Sequence, residues 1–452
     1  MKRLLMATLL LALAGTLLWA GGGRETAPAA AAPEAATAPQ PVTLRVWGGV
    51  PEENGPGDLI AAFQAAHPNI TVEYTRFVNN EEGNLRLDTA LIAGNQVDVF
   101  FTYNNNILDR RAAAGNARPL GPLAQADGLD LVEAFSDLTY GTVNNQVYGI
   151  PTNRGPQFFL VNKDMFDAAG IPLPHSWTVD EYRDIARRLS SGSGQDRVFG
   201  VMYPNWAQLF LLGAQAAIGP NAYLNAEGNS NFTNPLFRQF IELRRAMQYD
   251  DRSEVPYVEV VSQNLSDATE FLTGQVAMIY TGTWRVRNVL DRDTYNHDFT
   301  TAFVPIYSMT AGQQRVYNEG SLGDWAMIAN DSPAPEAAWT FIRYWATTGS
   351  DHMVEKGGKI PAWTGYPAQR VAEAMLGPDR AELFDVESFQ RVVMDQPLFS
   401  YQPTNPVAVA IYNDMRSVVQ EEVQLLYTGR QNLDRTINQI DSRVNDLIRR
   451  AR

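Results

Sequence analysis

The sequence predicts an α/β fold, and three observations lead to that prediction. Strand-like and helix-like segments alternate from Val42 onward, and a second α/β region follows further along the chain. The chain has 452 residues, which is enough for two lobes with sizeable cores. After the first 20 residues, no stretch reaches the ~18 apolar residues of a membrane-spanning helix. We therefore predict a soluble two-lobed body.

The N-terminal segment has a different composition. Two basic residues precede an apolar run from Leu4 to Trp19, and small residues follow at Ala20 to Gly23. This arrangement predicts a signal peptide at residues 1–20, cleaved between residues 20 and 22. Residues 21–41 are rich in Ala, Pro and Gly, which predicts a disordered leader. The sequence has no cysteine for lipid attachment, so we expect a free protein in the periplasm.

Charge and motifs exclude several classes of function. The formal net charge is −14, and a broadly acidic chain does not attract nucleic acid or anionic lipid. Neither GxGxxG nor GxxxxGK[ST] occurs, the four histidines lie far apart, and GxSxG is missing. We therefore expect no cofactor and no metal. Glycoside hydrolysis by two carboxylates remains open, because 50 acidic residues are present.

The first α/β region begins with "VTLRVWGG". Val42, Leu44 and Val46 alternate there with other residues, which predicts a strand that ends at two glycines. A helix in "GDLIAAFQAAHP", a strand in "ITVEYT", a helix in "LRLDTALIAGN" and a strand in "VDVFF" follow. Ligands bind beyond the carboxyl ends of parallel strands, so the loops at Trp47 and Tyr103 are candidate ligand loops.

The second α/β region begins with "QVYGIP" and "QFFLVNK", two predicted strands on either side of a turn. Thr178 has Glu181 three residues later, which is the spacing of a capping box and predicts the start of a helix. No linker divides the chain, so we expect it to cross between the lobes more than once. Long helices are predicted at residues 234–249, 335–347, 407–427 and 432–450.

Several aromatic residues stand at predicted turns or strand ends. A flat ring suits a sugar, whose C–H face stacks on it while neighbouring amide, carboxylate or guanidinium groups bind the hydroxyls. Any one of these rings could equally pack in a core. As a set they favour a carbohydrate cleft. The set comprises Trp47, Tyr103, Trp206, Trp284, Trp325 and Trp363.

An ordered series of blocks resembles the extracellular solute-binding proteins of ABC transporters, specifically the sugar-binding family 1 that includes maltodextrin-binding proteins. The strongest block, "NNQVYGIPTN" with "FFLVNKDMFDAAGIPLPHSWTVDEYRDIARRL", resembles that family's "YGIP", "YNKDLF", "AG" and "P.TW.E" series. Val161 stands in place of the usual Tyr, and His175-Ser176 replaces Pro-Thr. The resemblance covers about Val42 to Ala451. Its other blocks include "LIAGNQVDVFF", "FLTGQVAMIYTGTWRVRNV", "PEAAWTFIRYWAT" and "GGKIPA".

The resemblance implies a periplasmic-binding-protein fold, type II-like, in which each of two lobes is a mixed sheet flanked by helices. A carbohydrate would bind in the cleft at the hinge and favour closure of the lobes. The closed protein, a monomer, would then dock on ABC transporter permease subunits in the membrane, without catalysis. The expected lobes are residues 42–153 plus about 306–346, and about 154–305 plus 347–452.

The family's ligand contacts are carried over by position. Trp284 in "TGTW" resembles an aromatic residue that stacks on the ligand, and Asn153 and Arg154 follow "YGIP", where a polar contact is common. The Gly-Ser pair before "LGDWAMI" would let backbone approach a ligand, and Trp325 on that strand is expected to be buried. The candidate set is Trp47, Glu52, Tyr103, Asn104, Asn153, Arg154, Trp206, Trp284, Gly320, Ser321, Trp363 and Tyr412.

Three functions remain open from the sequence. A sugar-binding component of an importer accounts for the export segment, the acidic body, the aromatic residues and the order of the blocks. A secreted glycoside hydrolase accounts for the export segment and the aromatic residues but not for the block order. A binding protein of the same fold for a polyamine or a phosphorylated polyol accounts for everything except the aromatic richness.

Overall fold

The computed structural model describes residues 40–94, 97–318, 320, 322–378, 380–397 and 399–452. The predicted signal peptide and nearly all of the predicted leader lie outside these residues. Pro41–Arg452 form one unit. Within the described residues, no helix combines the length and apolar character that crossing a membrane requires.

The strands of the described residues include those predicted in both α/β regions. They are β1 (Val42–Gly48), β2 (Ile70–Arg76), β3 (Val99–Thr102), β4 (Thr142–Val143), β5 (Gln146–Val147), β6 (Gly149–Arg154), β7 (Gln157–Asn162), β8 (Met278–Gly282), β9 (Thr301–Val304), β10 (Leu322–Ile328) and β11 (Ile360–Pro361).

The helices range from one turn to six. They are α1 (Pro56–Ala66), α2 (Glu81–Ala93), α3 (Asn105–Ala113), α4 (Gly121–Ala126), α5 (Leu131–Phe135), α6 (Lys163–Ala168), α7 (Val179–Leu189), α8 (Leu212–Ile218), α9 (Pro235–Tyr249), α10 (Tyr257–Ser262), α11 (Asp267–Leu272), α12 (Val286–Leu290), α13 (Pro335–Ala346), α14 (Asp351–Glu355), α15 (Ala368–Leu376), α16 (Arg380–Leu383), α17 (Val386–Phe389), α18 (Pro406–Tyr427) and α19 (Leu433–Ala451). Helix α7 begins with the predicted capping box, in which Thr178 and Glu181 bind each other's backbone N–H groups.

The first lobe is built on a six-stranded mixed sheet in the order β11-β6-β10-β3-β1-β2. Strand β1 runs parallel to β2 and β3, whereas β10 runs antiparallel to β3 and β6. Alternation along β1 buries Leu44 and Val46, as predicted, because their side chains face the core. Trp325 in β10 is fully buried, and its indole N–H donates to Asn105 at 2.8 Å. The expected burial of Trp325 is therefore confirmed.

The second lobe is built on the antiparallel sheet β8-β7-β9. Alternate residues of β7 belong to different apolar clusters: Phe159 and Val161 pack on one face, and Phe158 and Leu160 on the other. Apolar side chains therefore pack against both faces of this sheet. The long helices α18 and α19 pack on each other and add a further cluster that includes Tyr412.

The described chain passes between the lobes at three places. Strand β6 of the first sheet continues across Gly155 and Pro156 into β7 of the second sheet. The chain returns between Asn318 and β10, and it leaves the first lobe again after β11. More than one crossing was expected, and the crossings together form the hinge region.

The boundaries of the lobes differ from the expected ones. Ile306 and Met309 pack in a second-lobe cluster, although they fall in the segment of about 306–346 expected for the first lobe. Met353 and Ala362 pack in the first-lobe cluster, although they lie beyond that segment. The reason is that β11 pairs with β6 and extends the first sheet. The preceding helix α14 packs against both lobes, with Met353 in the first-lobe cluster and Val354 in a second-lobe cluster.

Candidate ligand-binding site

The loop after β1 is held in place by two tyrosine hydroxyls. The hydroxyl of Tyr74 donates to the carbonyl of Val50 at 2.7 Å, and the N–H of Gly49 donates to the hydroxyl of Tyr103 at 2.6 Å. A methyl group at Gly48 would lie 2.2 Å from the Tyr74 hydroxyl, so glycine is needed for this approach. Burial raises the pKa of both tyrosines, so both hydroxyls stay protonated near neutral pH.

The two predicted ligand loops meet at one edge of the first sheet. Strands β1 and β3 are parallel neighbours, and their carboxyl ends bring the Gly49 and Tyr103 loops into contact. Trp47 is half-buried beneath the Arg86 guanidinium, which lies 5.8 Å from its ring centroid. Asn104 is half-buried before α3, and Glu52 is exposed in the short 3-10 helix after β1.

A nearly buried ion pair joins β10, the neighbour of β3 in the first sheet, to the residue before β11. The sequence analysis did not identify it. The Lys359 Nζ lies 2.7 Å from a carboxylate oxygen of Asp324, and the two side chains are 12 % and 16 % exposed. Asp324 has a φ of 50°, which is rare outside glycine and tends to occur at functional sites. The hydroxyl of Thr152 donates to the Asp324 carbonyl at 2.8 Å and supports this conformation. The acid inside "LGDWAMI" was the signal available in the sequence.

Asn153 and Arg154 lie at the end of β6, immediately before the first crossing. Asn153 is 5 % exposed, and its backbone pairs with Gly323 on one side and Pro361 on the other. Arg154 is half-buried, and burial lowers the pKa of its guanidinium. The predicted polar pair therefore lies beside the hinge, as expected from its position after "YGIP".

The second lobe contributes the aromatic pair Trp206 and Trp284. Their ring centroids are 5.9 Å apart, their planes are tilted by 50°, and both side chains are half-buried. The Trp284 ring lies over Gly282, where a methyl group would come within 2.2 Å of a ring carbon. Two predicted aromatic residues that are distant in sequence are thus brought together with part of each ring exposed.

The two lobes touch where the Trp284 segment meets the loop before β11. A methyl group at Gly358, which has a φ of 64°, would lie 2.6 Å from the Thr283 carbonyl oxygen and 3.2 Å from the Trp284 Cα. Glycine therefore permits a close contact between backbones of the two lobes. Lys359 follows directly, so its ion pair with Asp324 and the aromatic pair lie on opposite sides of the same junction.

Arg287 on α12 is a second residue that sequence reasoning missed. Its side chain is half-buried, and burial is the largest cause that lowers the pKa of the guanidinium. Arg285 and Arg76 lower this pKa further, whereas Asp324 and Glu53 act in the opposite direction. Arg287 therefore lies within electrostatic reach of charges on the first lobe. It stands three residues after Trp284, within the "TGTWRVRNV" block.

The hinge accounts for Gly320. A methyl group there would lie 2.7 Å from the Cα of Pro156 and 2.8 Å from the Gly155 carbonyl oxygen. The small residue thus allows close contact with the neighbouring crossing, which accounts for the glycine. The expected approach of a ligand to this backbone stays a prediction. Ser321, predicted together with it, lies outside the described residues.

The two remaining candidates differ in burial. Trp363 is half-buried, packs against the first-lobe core, and covers Gly365 so closely that a methyl group there would lie 2.5 Å from its ring. Tyr412 is 1 % exposed, and its ring packs edge-on against Tyr223 at 5.5 Å. The expectation of a ligand contact at Tyr412 is corrected, because α18 turns this residue into a helical core.

The charged groups of the described residues do not converge on a metal site. No three His, Asp or Glu side chains in this part of the chain lie close enough together to hold a metal ion.

Comparisons with known proteins agree with this architecture. Residues 53–351 match the model of a family described as bacterial extracellular solute-binding protein. A Brucella abortus protein named as a binding protein is 23 % identical over 286 residues, which are 63 % of this chain and 66 % of that relative. The aligned part thus spans just under two thirds of the length of the curated relative.

Solved structures share the fold over most of the chain. An ABC transporter solute-binding protein of Thermotoga lettingae, bound with α-D-tagatose, matches with a TM-score of 0.70 and 21 % identity, covering 90 % of this chain and 99 % of that chain. UgpB of Mycobacterium tuberculosis, in complex with glycerophosphocholine, matches with a TM-score of 0.71 and 18 % identity, covering 91 % and 99 %. Both share its two-lobed fold.

Proposed function

The chain belongs to the bacterial extracellular solute-binding proteins, and on that premise we propose that it is the substrate-binding component of an ABC importer. It binds a mono- or oligosaccharide between its two lobes and delivers it to permease subunits in the membrane. Binding requires contacts from both lobes, because only a ligand with a higher affinity for the closed form shifts the protein towards closure.

The observation that carries this proposal is the half-buried pair of Trp206 and Trp284 at the junction of the lobes. Partly exposed rings offer apolar faces on which the C–H face of a sugar stacks. The polar groups of Asn153, Asp324 and Lys359 stand across the junction and suit its hydroxyls. The sugar bound by the Thermotoga lettingae protein is consistent with this choice.

Two other functions are less well supported. A glycoside hydrolase needs two carboxylates with separate tasks, but Asp324 is already paired with Lys359 and Glu52 is exposed on a loop. A non-sugar solute has one specific observation in its favour, since the Mycobacterium tuberculosis protein of the same fold is in complex with glycerophosphocholine. We therefore keep a phosphorylated polyol as the second candidate.

We further propose that the protein is exported and works free in the periplasm as a monomer. The sequence has no cysteine through which a lipid could be attached. Cells grown with a radioactive fatty acid should yield unlabelled protein. N-terminal sequencing of the purified protein should find that it begins at residue 21 or 22. Label that stays with the mature protein would contradict this assignment.

The experiment that tests the function is a thermal-shift screen of neutral sugars, from monosaccharides to oligosaccharides, with glycerophosphocholine and spermidine as non-sugar probes. We expect at least one sugar to raise the Tm, because a ligand that binds only the native state stabilises it. The same sugar should be recovered intact by chromatography after incubation. A response limited to the non-sugar probes, or turnover that disappears when one carboxylate is replaced, would overturn the proposal.

A further inference from the structure

Two guanidinium groups beside the junction of the lobes have no partner side chain among the residues that the structure describes. Arg154 is at the end of β6 in the first lobe, and Arg287 is on α12 in the second. Both are half-buried. In the part of the chain that the structure describes, neither guanidinium makes an ion pair or a side-chain hydrogen bond.

Two pairs of oppositely charged groups lie in the same region. Asp324 binds Lys359 at 2.7 Å, and Arg285, two residues before Arg287, binds Asp267 at 2.6 Å. The contrast between Arg285 and Arg287 on the same short segment is informative, because, within the described part of the chain, one guanidinium binds a carboxylate and its neighbour does not. Among the described residues, neither Arg154 nor Arg287 therefore has a carboxylate in direct contact, although Asp324 and Glu53 act on Arg287 from a greater distance.

A guanidinium without a contacting carboxylate becomes more costly when the lobes close, because closure removes water from it. A neutral sugar would supply hydroxyl acceptors but would leave the charge buried. A carboxylate or a phosphate would supply both the opposite charge and the paired oxygens that match the planar guanidinium. The geometry therefore favours a ligand with an acidic group.

We propose that the solute is an acidic sugar, carrying a carboxylate or a phosphate, and that Arg154 and Arg287 bind its anionic group while Trp206 and Trp284 hold its ring. This inference rests on the proposed function as a sugar-binding protein. The two arginines come from different lobes, so an anion that binds both favours the closed form. They are specificity-determining residues of the cleft.

The test compares matched probes that differ only in the acidic group. Galacturonate is compared with galactose, trigalacturonate with galactotriose, and glucose 6-phosphate with glucose, by isothermal titration calorimetry on the full mature chain. We expect at least one acidic member to bind tenfold or more tightly than its neutral partner. The separate uronate and phosphate arms identify which anion the site accepts.

Variants assign the effect to the two arginines. Arg287→Gln and Arg154→Gln should each weaken binding of the acidic probe by about tenfold or more, as expected for the loss of a charged hydrogen bond. Their affinity for the neutral partner should fall by a smaller factor than their affinity for the acidic probe, because an anionic group also loses a charge-assisted interaction. Arg292→Gln is the matched control, since Arg292 is exposed five residues further along. Unchanged Tm values of the unliganded variants would show that folding is intact.

The outcomes separate this inference from the proposed function. If a neutral sugar binds as tightly as its acidic partner, the inference is wrong and the sugar-binding function stands. If the acidic probe binds tightly and both arginine variants retain that affinity, the assignment to Arg154 and Arg287 is overturned. If no sugar of either kind binds, the proposed function fails and the inference fails with it.

Discussion

The side chain of Asn318 joins two of the three crossings by binding the backbone of Gln157. Its amide oxygen accepts from the Gln157 N–H at 3.2 Å, and its amide N–H donates to the Gln157 carbonyl. The same oxygen accepts from the Gly320 N–H at 2.8 Å. Gln157 begins β7 and Asn318 precedes β10, so one amide that is 9 % exposed connects the chain where it enters and leaves the second lobe.

Replacing Asn318 should weaken the hinge. Asn318→Ala leaves three backbone groups without their partner, and we expect the free energy of unfolding to fall by about 2 to 3 kcal/mol. Ligand affinity should fall as well, because the lobes lose part of their fixed relation. Urea denaturation and calorimetry with a sugar that raises the Tm measure the two effects.

The matched control for the hinge is Asn234→Ala. Asn234 caps α9 in the second lobe by accepting from the Leu236 N–H at 3.1 Å, and loss of an N-cap costs about 1 kcal/mol. This variant should lose stability and keep its ligand affinity. If Asn318→Ala were as stable as the unaltered protein, the hinge role of Asn318 would be wrong.

The aromatic pair gives a second prediction, in which ligand binding and folding separate. Trp284→Ala should abolish the sugar-induced rise in Tm, because the ring removed is partly exposed and serves the ligand more than the core. The Tm of the unliganded variant should stay within a few degrees, on the order of a change of 1 kcal/mol. Trp325→Ala is the contrasting variant and should unfold the first lobe, since Trp325 is fully buried. Loss of the fold in Trp284→Ala would instead make Trp284 a core residue.

A third prediction tests the support of the same ring without touching the ring itself. In Gly282→Ala the added methyl group would lie 2.2 Å from a carbon of Trp284, so the indole must move away. We expect sugar affinity to fall by tenfold or more, although Gly282 need not contact the ligand. Gly121→Ala, where a methyl group meets nothing within 4 Å and the φ is not positive, should leave affinity unchanged. Equal affinities for Gly282→Ala and the unaltered protein would show that the ring position does not matter.

The sequence was sufficient to predict the architecture because the signals for it are local. Neighbouring residues alone determine the alternation in β1 and the Thr178–Glu181 capping box, and each family block is a short local pattern. The structure contains the corresponding strands, helix and lobes. The meeting of the Gly49 and Tyr103 loops was also predictable, since it follows from the adjacency of parallel strands.

The parts that could not be predicted depend on contacts between distant residues. Lys359 and Asp324 are 35 positions apart and pair only because β11 and β10 both flank β6. Likewise, Tyr412 has the residue type of a ligand platform, but its burial is decided by which face of α18 meets Tyr223. Side-chain roles of this kind require the tertiary arrangement, which sequence spacing alone does not contain.

The ion pair itself gives a fourth prediction. Lys359→Met leaves the Asp324 carboxylate unpaired in a nearly buried position, and we expect a loss of about 2 to 3 kcal/mol in the free energy of unfolding. The double variant with Asp324→Asn removes the uncompensated charge and keeps a residue type that tolerates positive φ. It should therefore be more stable than Lys359→Met alone. A double variant whose loss equals or exceeds the sum of the single losses would contradict this account.

Asp109 on α3 gives a prediction of pH dependence. Burial raises the pKa of this carboxyl from its ordinary value of 3.8 to about 6. Between these two values the folded protein holds a proton that the unfolded chain releases, so the free energy of unfolding falls as the pH rises from 3.8 to about 6. At neutral pH the ionised carboxylate costs about 1 kcal/mol, less than the full pKa difference implies, because solvent partly screens the group.

Asp109→Asn should remove this cost. The variant should therefore be more stable than the unaltered protein at neutral pH and no more stable below pH 3.8, as measured by urea denaturation at both. A stability difference that is the same at both pH values would show that ionisation of Asp109 is not its cause.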